Sequence, residues 1–138
     1  MPGAQDALHQ LNGYPKCVAT ARAPEMEVTT SGKLKEFFGE FRQFYFGYKE
    51  RKAEAVLHAK GQYVIDDSLH ECQLVHDLCP NVCTILFPMR HRYDTPVVPG
   101  IRQLKAQQDV RRGIGDDDWH GVCQAAWKET VDIILNHN

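Results

Sequence analysis

The sequence predicts a mainly α fold, a compact single-domain helical bundle of about four helices with a long central helix and a few short strands. Three features carry this prediction: a long amphipathic run at 33–60, a helix-capping box at 68–71, and helical apolar spacing near the carboxyl terminus. The chain has 138 residues, 43% of them hydrophobic, which is enough to bury roughly two-thirds of the surface exposed by the unfolded chain. We therefore expect a flexible N-terminal arm at 1–13 and a single helical domain at 14–138.

The run at 33–60 is the predicted central helix. At the helical step of about 100° per residue, one broad face collects the following apolar side chains: Leu34, Phe37, Phe38, Phe41, Phe44, Tyr45, Tyr48, Ala55, Val56 and Ala59. Ser31 can cap the amino end, and Gly61 can end the helix in a left-handed conformation. Because aromatic rings bury large apolar areas, the other helices are expected to pack on this face.

The elements on either side of this run are shorter. Cys17 to Ala21 can form a short strand, and Gln62 to Ile65 a brief extended piece. Ser68-Leu69-His70-Glu71 is a capping box, in which the serine hydroxyl and the glutamate carboxylate satisfy each other's backbone donors. A helix is therefore expected from Ser68 to about Cys79, and Pro80 should end it because proline lacks a backbone donor.

The rest of the chain, from residue 82 onward, divides into a strand or short helix, a loop and two helices. The apolar segment at 82–87 fits either a buried strand or the start of a short helix, and 89–99 reads as an exposed loop. Pro99-Gly100-Ile101 opens a helix that runs to about Arg112. The last helix should begin near Trp119, with the carboxylates of Asp116 to Asp118 at its positive end.

Composition and cysteine usage limit the function classes. The net charge of −2 and the pI near 6.4 are too modest to predict a nucleic-acid or membrane partner. The five cysteines are an odd number without disulfide-rich spacing, and the first thirty residues lack the pattern of a signal peptide. No apolar run approaches the roughly 20 residues that cross a bilayer. We expect a soluble protein in a reducing, intracellular compartment, most simply the cytoplasm.

The densest group of metal-ligand types contains Cys72, His76, Cys79 and Cys83. The first three fall on one helix face, and zinc could take all four. The spacing matches no standard zinc module, however, and free cysteine is among the most buried residue types. Structural core cysteines are therefore the first expectation and no cofactor is predicted, with zinc kept as the alternative.

Catalytic signatures are missing from the sequence. It contains no Gly-x-Ser-x-Gly, no His-Glu-x-x-His and no complete phosphate or dinucleotide loop. We therefore expect a chain that is not an enzyme, and a zinc-supported or thiol enzyme is the third hypothesis.

The predicted partner surface lies on the polar side of the predicted central helix. Lys35, Arg42 and Lys49 recur every seven residues there, and Phe46 projects outward beside them. Basic charges can steer an acidic partner while an aromatic ring fills a pocket. The first functional expectation is a non-enzymatic protein–protein interaction or regulatory module: an adaptor, an inhibitor or an assembly subunit.

Nucleic-acid binding is the alternative function. Arg90, Arg92, Arg111 and Arg112 could contact phosphates, and Tyr93 could stack on a base. The identity of the partner and the oligomeric state are not specified by the sequence.

Overall fold

The computed structural model describes residues 3–113 and 118–136, with the side chain of Arg111 excepted. Within these ranges the chain forms six α-helices, one short 3-10 helix at Pro24–Met26, and five strands. In chain order the α-helices and strands are α1 (Ala4–Gln10), β1 (Cys17–Ala19), α2 (Glu27–Phe38), β2 (Gln43–Tyr45), α3 (Lys52–Ala59), β3 (Tyr63–Asp66), α4 (Leu69–Leu78), β4 (Cys83–Leu86), β5 (Ile101–Gln103), α5 (Lys105–Arg111) and α6 (Trp119–Leu135).

The strands form two parallel sheets. β3, β4 and β5 lie side by side in that order, with Ile65 opposite Ile85 and Thr84 opposite Ile101. β1 and β2 form a separate parallel pair. The fold is therefore an α/β mixture, and the prediction of a mainly α helical bundle is wrong. Parallel strands need crossover connections, and α2 and α4 supply two of them.

The predicted long central helix at 33–60 is also wrong. α2 ends at Phe38, and Gly39 follows it with φ of 83°, a conformation that favours glycine. The aromatic residues just beyond it favour an extended backbone, and Phe44 pairs across to Val18 in β1. A second positive φ, at Gly47, turns the chain toward α3. The stretch therefore holds a helix, a strand and a second helix.

The segment at 82–87, which fitted either a strand or a helix, contains the central strand β4. Thr84, Ile85 and Leu86 are at most 1% exposed. A parallel strand that is covered on both faces reads as such a continuous apolar run. The helix expected from Pro99-Gly100-Ile101 starts later, because Ile101 to Gln103 form β5 and α5 begins at Lys105.

Two predicted helices are confirmed. α4 begins after Ser68, whose hydroxyl accepts a hydrogen bond from the Glu71 backbone N–H at 3.3 Å. α6 begins at Trp119, and the Asp118 carboxylate accepts from the Gly121 backbone N–H at 3.1 Å. Asp116 and Asp117 lie outside the described residues.

Helices cover both faces of the three-stranded sheet. On one face Ile85 packs with residues of α5 and α6, including Val110 and Ala126. On the other face Leu86 packs with Cys72 of α4 and Ile101. Neighbouring residues of β4 thus enter different cores, as the two-residue period of a strand requires.

α1 lies against α6. Ala7 and Leu11 are buried together with Val131 and Ile134. The segment predicted as a flexible arm, 1–13, therefore contributes three buried side chains to the described fold, those of Ala4, Ala7 and Leu11. None of the helices in the described ranges combines the length and the apolar character needed to cross a bilayer.

Candidate functional site

The candidate site lies where the parallel strands end. Asp66, Leu86 and Gln103 are the last residues of β3, β4 and β5, and the register places them side by side. In open parallel sheets, ligands commonly bind outside this carboxyl edge. We call the group of Lys52, Asp66, Asp67 and Arg92 the carboxyl-edge site.

An ion pair joins α3 to the end of β3. The Lys52 Nζ lies 2.6 Å from the Asp66 Oδ2, and the two side chains are only 20% and 9% exposed. The second carboxylate oxygen, Oδ1, accepts from the Ser68 backbone N–H at 2.8 Å. Both oxygens of Asp66 are thus engaged, and the aspartate is held in one orientation.

Burial alone would lower the pKa of Lys52, but the hydrogen bond and charge of Asp66 outweigh it. The negative charges of Glu71 and Asp67 act in the same direction, and the net result is a raised pKa. Lys52 is therefore an ammonium ion at neutral pH, fixed at the edge of the sheet.

Asp67 is the second carboxylate of the site. Burial, and then the charge of the neighbouring Asp66, raises its pKa above the ordinary value, against the lowering effects of its own backbone amide and of Lys52. The residue is exposed and, with Met89 and Arg92, lines a crevice of about 10 Å³, which is room for about one water molecule. A partly desolvated carboxylate at a cleft is typical of functional sites.

Arg92 reaches this crevice because its loop is tied to α5. The Arg92 backbone N–H donates to the Met89 carbonyl at 3.2 Å, which closes a turn. The Arg92 carbonyl accepts from the Gln107 Nε2 at 3.3 Å and from the Thr95 hydroxyl at 3.3 Å. Gln107 is 1% exposed, so a buried side chain anchors the loop.

The chemistry of this edge suits a polar ligand rather than a resident metal centre. Within residues 3–113 and 118–136, no group of three or more His, Cys, Asp or Glu side chains is arranged to hold a metal ion. Mg²⁺, however, is commonly held by one or two carboxylates plus the phosphates of a ligand. Asp67 offers an exposed carboxylate for such an ion, since both oxygens of Asp66 already accept hydrogen bonds. Lys52 and Arg92 offer cations for phosphate oxygens.

A wider and more open depression, of about 390 Å³, lies at the opposite, amino edge of the same sheet. Cys83, Thr84, Gly100 and Arg102 contribute to its wall. Arg102 is the charged residue of that wall, whereas the carboxyl edge brings opposite charges into contact. We therefore base the candidate function on the chemistry of the carboxyl edge rather than on the size of the depression.

The residues predicted to bind a protein partner do not share one helix. Lys35 is exposed on α2, Arg42 is exposed just before β2, and Lys49 is exposed in the turn before α3. Phe46 is half-buried, with its ring centroid 6.2 Å from that of Phe44. The regular seven-residue row is lost because the helix that defined it is interrupted. Whether these side chains contact a partner remains a prediction.

The residues predicted to contact nucleic acid divide between a loop and α5. Arg90, Arg92 and Tyr93 occupy the loop after β4, where the Tyr93 hydroxyl lies 3.0 Å from the His91 Nδ1. Arg112 pairs with Asp109 at 2.8 Å. The side chain of Arg111 lies outside the described part of the chain.

The proposed zinc ligands are not brought together. Cys72, Cys79 and Cys83 belong to three different apolar clusters, and the His76 imidazole lies against Gly100. Burial raises the pKa of the Cys72 thiol to about 12, and it also raises the pKa values of Cys79 and Cys83. Within the part of the chain that the structure describes, these four side chains do not form a group that could hold a metal ion.

Sequence reasoning did not identify Lys52, Asp66 and Asp67 as a site. The aspartates precede the capping box at 68–71, and Lys52 lies inside the run assigned to the central helix, so no motif singles them out. A signal was present: the apolar strand at Tyr63–Ile65 is followed at once by two acidic residues and then by the Ser68 N-cap. That order is typical of a strand-to-helix turn at the carboxyl edge of a parallel sheet.

No protein-family model matches the chain, and comparisons with curated proteins and with solved structures give no match.

Proposed function

We propose that the chain is a ligand-binding α/β domain that holds a phosphorylated small molecule, together with Mg²⁺, at the carboxyl-edge site. The observation that carries this proposal is the mostly buried Lys52–Asp66 ion pair at 2.6 Å, next to the partly desolvated Asp67. Burying two charges costs free energy that apolar side chains of the same size would not incur. A charged pair at the ligand-binding edge of a parallel sheet is therefore more simply explained by binding than by stability.

The charges of the site favour this ligand class. Asp66, Asp67 and Glu71 together carry more negative charge than Lys52 neutralises. A phosphate entering alone would be repelled by these carboxylates, whereas Mg²⁺ can bridge carboxylate and phosphate oxygens. The amino terminus of α4, which follows Asp67 and Ser68, adds a favourable dipole for an anion.

The test is calorimetric titration of the chain with inorganic phosphate and with a phosphomonoester such as glycerol 1-phosphate, each with and without MgCl₂. Binding should need both components. Asp67→Asn should weaken it by about tenfold or more, since a ligand to the cation is lost. Asp77→Asn is the matched control, because Asp77 is an exposed aspartate in the last turn of α4, whereas Asp67 precedes the first turn. Phosphate release is measured in the same samples, so that turnover would be detected.

Three results would contradict the proposal. The first is the absence of Mg²⁺-dependent binding for either phosphorylated probe. The second is equal binding by the parent chain and Asp67→Asn. The third is an equal loss in the Asp77→Asn control.

A second candidate function is binding of a protein partner through α2. This helix has no buried residue, and Val28 and Phe37 on it are 85% and 56% exposed. The two residues are nine positions apart and therefore face opposite sides of the helix, so each is a separate exposed apolar group that a partner could cover. Lys35 lies on the same helix, which keeps the expectation of an acidic partner and of a role as an adaptor or assembly subunit. The test is capture of partners by the immobilised chain and by variants of α2.

We also propose a reducing, intracellular location. All five cysteines are unpaired thiols, and Cys72, Cys79 and Cys123 are buried in the cores. Such thiols are typical of proteins that fold where disulfides are kept reduced. Fusion of the chain to a redox-sensitive fluorescent protein in the host cell would test this location.

A further inference from the structure

Glu71 is an unusual buried residue beside the carboxyl-edge site. It lies in the first turn of α4 and is 6% exposed. Its Oε1 accepts a hydrogen bond from the Glu50 backbone N–H at 2.6 Å. Its Oε2 is buried without a hydrogen-bond partner among the described residues. A carboxylate is costly to bury, and one that is only half satisfied calls for a functional explanation.

The partner of Glu71 is a strained turn. Glu50 has a φ of 58°, in the left-handed region that residues with a side chain rarely adopt. This turn lies between β2 and α3, and Lys52 follows it by two residues as the first residue of α3. The conformation of Glu50 therefore sets where α3 begins and from which point the lysine side chain extends.

Lys52 is held by two contacts, one at the turn that precedes it and one at its ammonium group. Glu71 fixes the turn at Glu50 from one side, while Asp66 receives the Lys52 ammonium from the other at 2.6 Å. Glu71 also acts on Lys52 directly, because its negative charge favours the ammonium form. Strained backbone that is held by a specific contact is typical of sites that need a group in one place.

We propose that Glu71 is a positioning residue, which places Lys52 at the carboxyl-edge site by holding the left-handed turn at Glu50. The value of this placement for ligand binding rests on the proposed function. The placement itself does not, because the position of Lys52 can be measured without any ligand.

The experiment uses the full chain and three variants. Glu71→Ala removes the acceptor of the Glu50 N–H, whereas Glu71→Gln keeps an acceptor oxygen without the charge. Glu71→Ala combined with Glu50→Gly removes the acceptor but lets glycine hold a positive φ without strain. Glu36→Ala, at an exposed position on α2, is the control. Nuclear magnetic resonance follows the Glu50 amide proton and the pKa of Lys52, and calorimetry follows Mg²⁺-dependent phosphate binding.

We expect Glu71→Ala to shift the Glu50 amide proton upfield. Both Glu71→Ala and Glu71→Gln remove a charge that raises the pKa of Lys52, so Glu71→Ala should lower this pKa further than Glu71→Gln does, because only there can the ammonium leave Asp66. Phosphate affinity should fall by about tenfold. Glu71→Gln should keep most of the Glu50 shift. The double variant should recover at least part of the Lys52 pKa, since the turn forms again. The control should match the parent chain.

The positioning role is overturned if Glu71→Ala folds and leaves both the Glu50 amide and Lys52 unchanged. It is also overturned if the double variant recovers none of the Lys52 pKa while the Glu50 amide shift of Glu71→Gln is the same as that of Glu71→Ala. If Glu71→Ala does not fold, the Glu50 amide shift in Glu71→Gln is the test. A retained downfield shift supports the proposal, and its loss contradicts it. If the pKa of Lys52 changes as expected in the variants but the parent chain binds no phosphate, the positioning role stands and the proposed ligand is wrong.

Discussion

At the scale of single residues, the loss of either partner of the Lys52–Asp66 ion pair should lower the stability of the folded chain. Each side chain is mostly buried, so removal of one partner leaves the other charge without compensation. Lys52→Met, which keeps the aliphatic stem, should therefore lower the free energy of unfolding by about 3 kcal/mol, and Asp66→Asn by a similar amount. The variant that combines both substitutions should lose clearly less unfolding free energy than the two single variants lose in sum. Urea denaturation measures all three.

The comparison for this pair is an exposed one. Arg51 and Glu54 lie 2.6 Å apart, but their side chains are each 57% exposed. Glu54→Gln should change stability by less than about 1 kcal/mol, because water screens such pairs. Equal losses of unfolding free energy in Glu54→Gln and Lys52→Met would show that burial does not make the Lys52–Asp66 pair more important for stability.

Asp67 should lower the stability of the folded chain at neutral pH. Burial and the charge of Asp66 raise its pKa in the folded state. The folded state then binds the proton more tightly than the unfolded state, so stability falls as pH rises from the unfolded pKa, about 3.9, through the folded pKa. Asp67→Asn should therefore raise stability at about pH 7 and change it little at about pH 3. Denaturant unfolding at both pH values tests this, and an equal gain at both would rule out titration as the cause.

At the scale of secondary-structure elements, β4 should be the most sensitive strand. Ile85 is 0% exposed and packs between the sheet and α5 and α6. Ile85→Ala should cost about 2–5 kcal/mol of stability through lost burial and the cavity that remains. Phe41, which the sequence placed on the buried face of a long helix, is only half-buried. Phe41→Ala should therefore cost less than Ile85→Ala in the same denaturation assay, and the reverse order would contradict this assignment of the core.

The elements that the sequence predicted correctly are those with a local cause. α4 and α6 combine helical apolar spacing with a side-chain cap, Ser68 or Asp118, and these signals act within a few residues. β2 has no comparable local signal, because its aromatic residues also fit one face of a helix, and its pairing with β1 joins residues far apart in sequence. The site was missed for the same reason. Lys52 and Asp66 meet only after α3 and β3 have packed.

At the scale of the whole molecule, the two proposed surfaces involve different parts of the chain. The carboxyl-edge site joins α3, the end of β3 and the loop before β5, whereas the proposed partner surface lies on α2. A protein could use both, with one binding the ligand and the other binding a partner. Variants at one surface should therefore leave the other unaffected, since distant sites usually contribute independently.

The proposed partner surface on α2 should tolerate the loss of its exposed apolar side chains. Val28 and Phe37 are not buried, so Val28→Ser together with Phe37→Ser should change stability by no more than roughly 1 kcal/mol. If α2 binds a partner, the same variant should lose proteins that the immobilised parent chain captures from a lysate of the native host. Val97→Ser is the matched control, because Val97 is 72% exposed but lies in the loop before β5. Mass spectrometry identifies the captured proteins.

Charge reversal then separates the contribution of the basic residues. Lys35, Arg42 and Lys49 are exposed, and changing all three to glutamate should slow association with an acidic partner, most strongly at low salt. Phe46→Ala should instead lower stability, because Phe46 is half-buried against Phe44. An identified partner that binds the charge-reversed chain as fast as the parent at low salt would exclude the basic residues from the interface. Capture that survives the Val28 and Phe37 substitutions would exclude α2 itself.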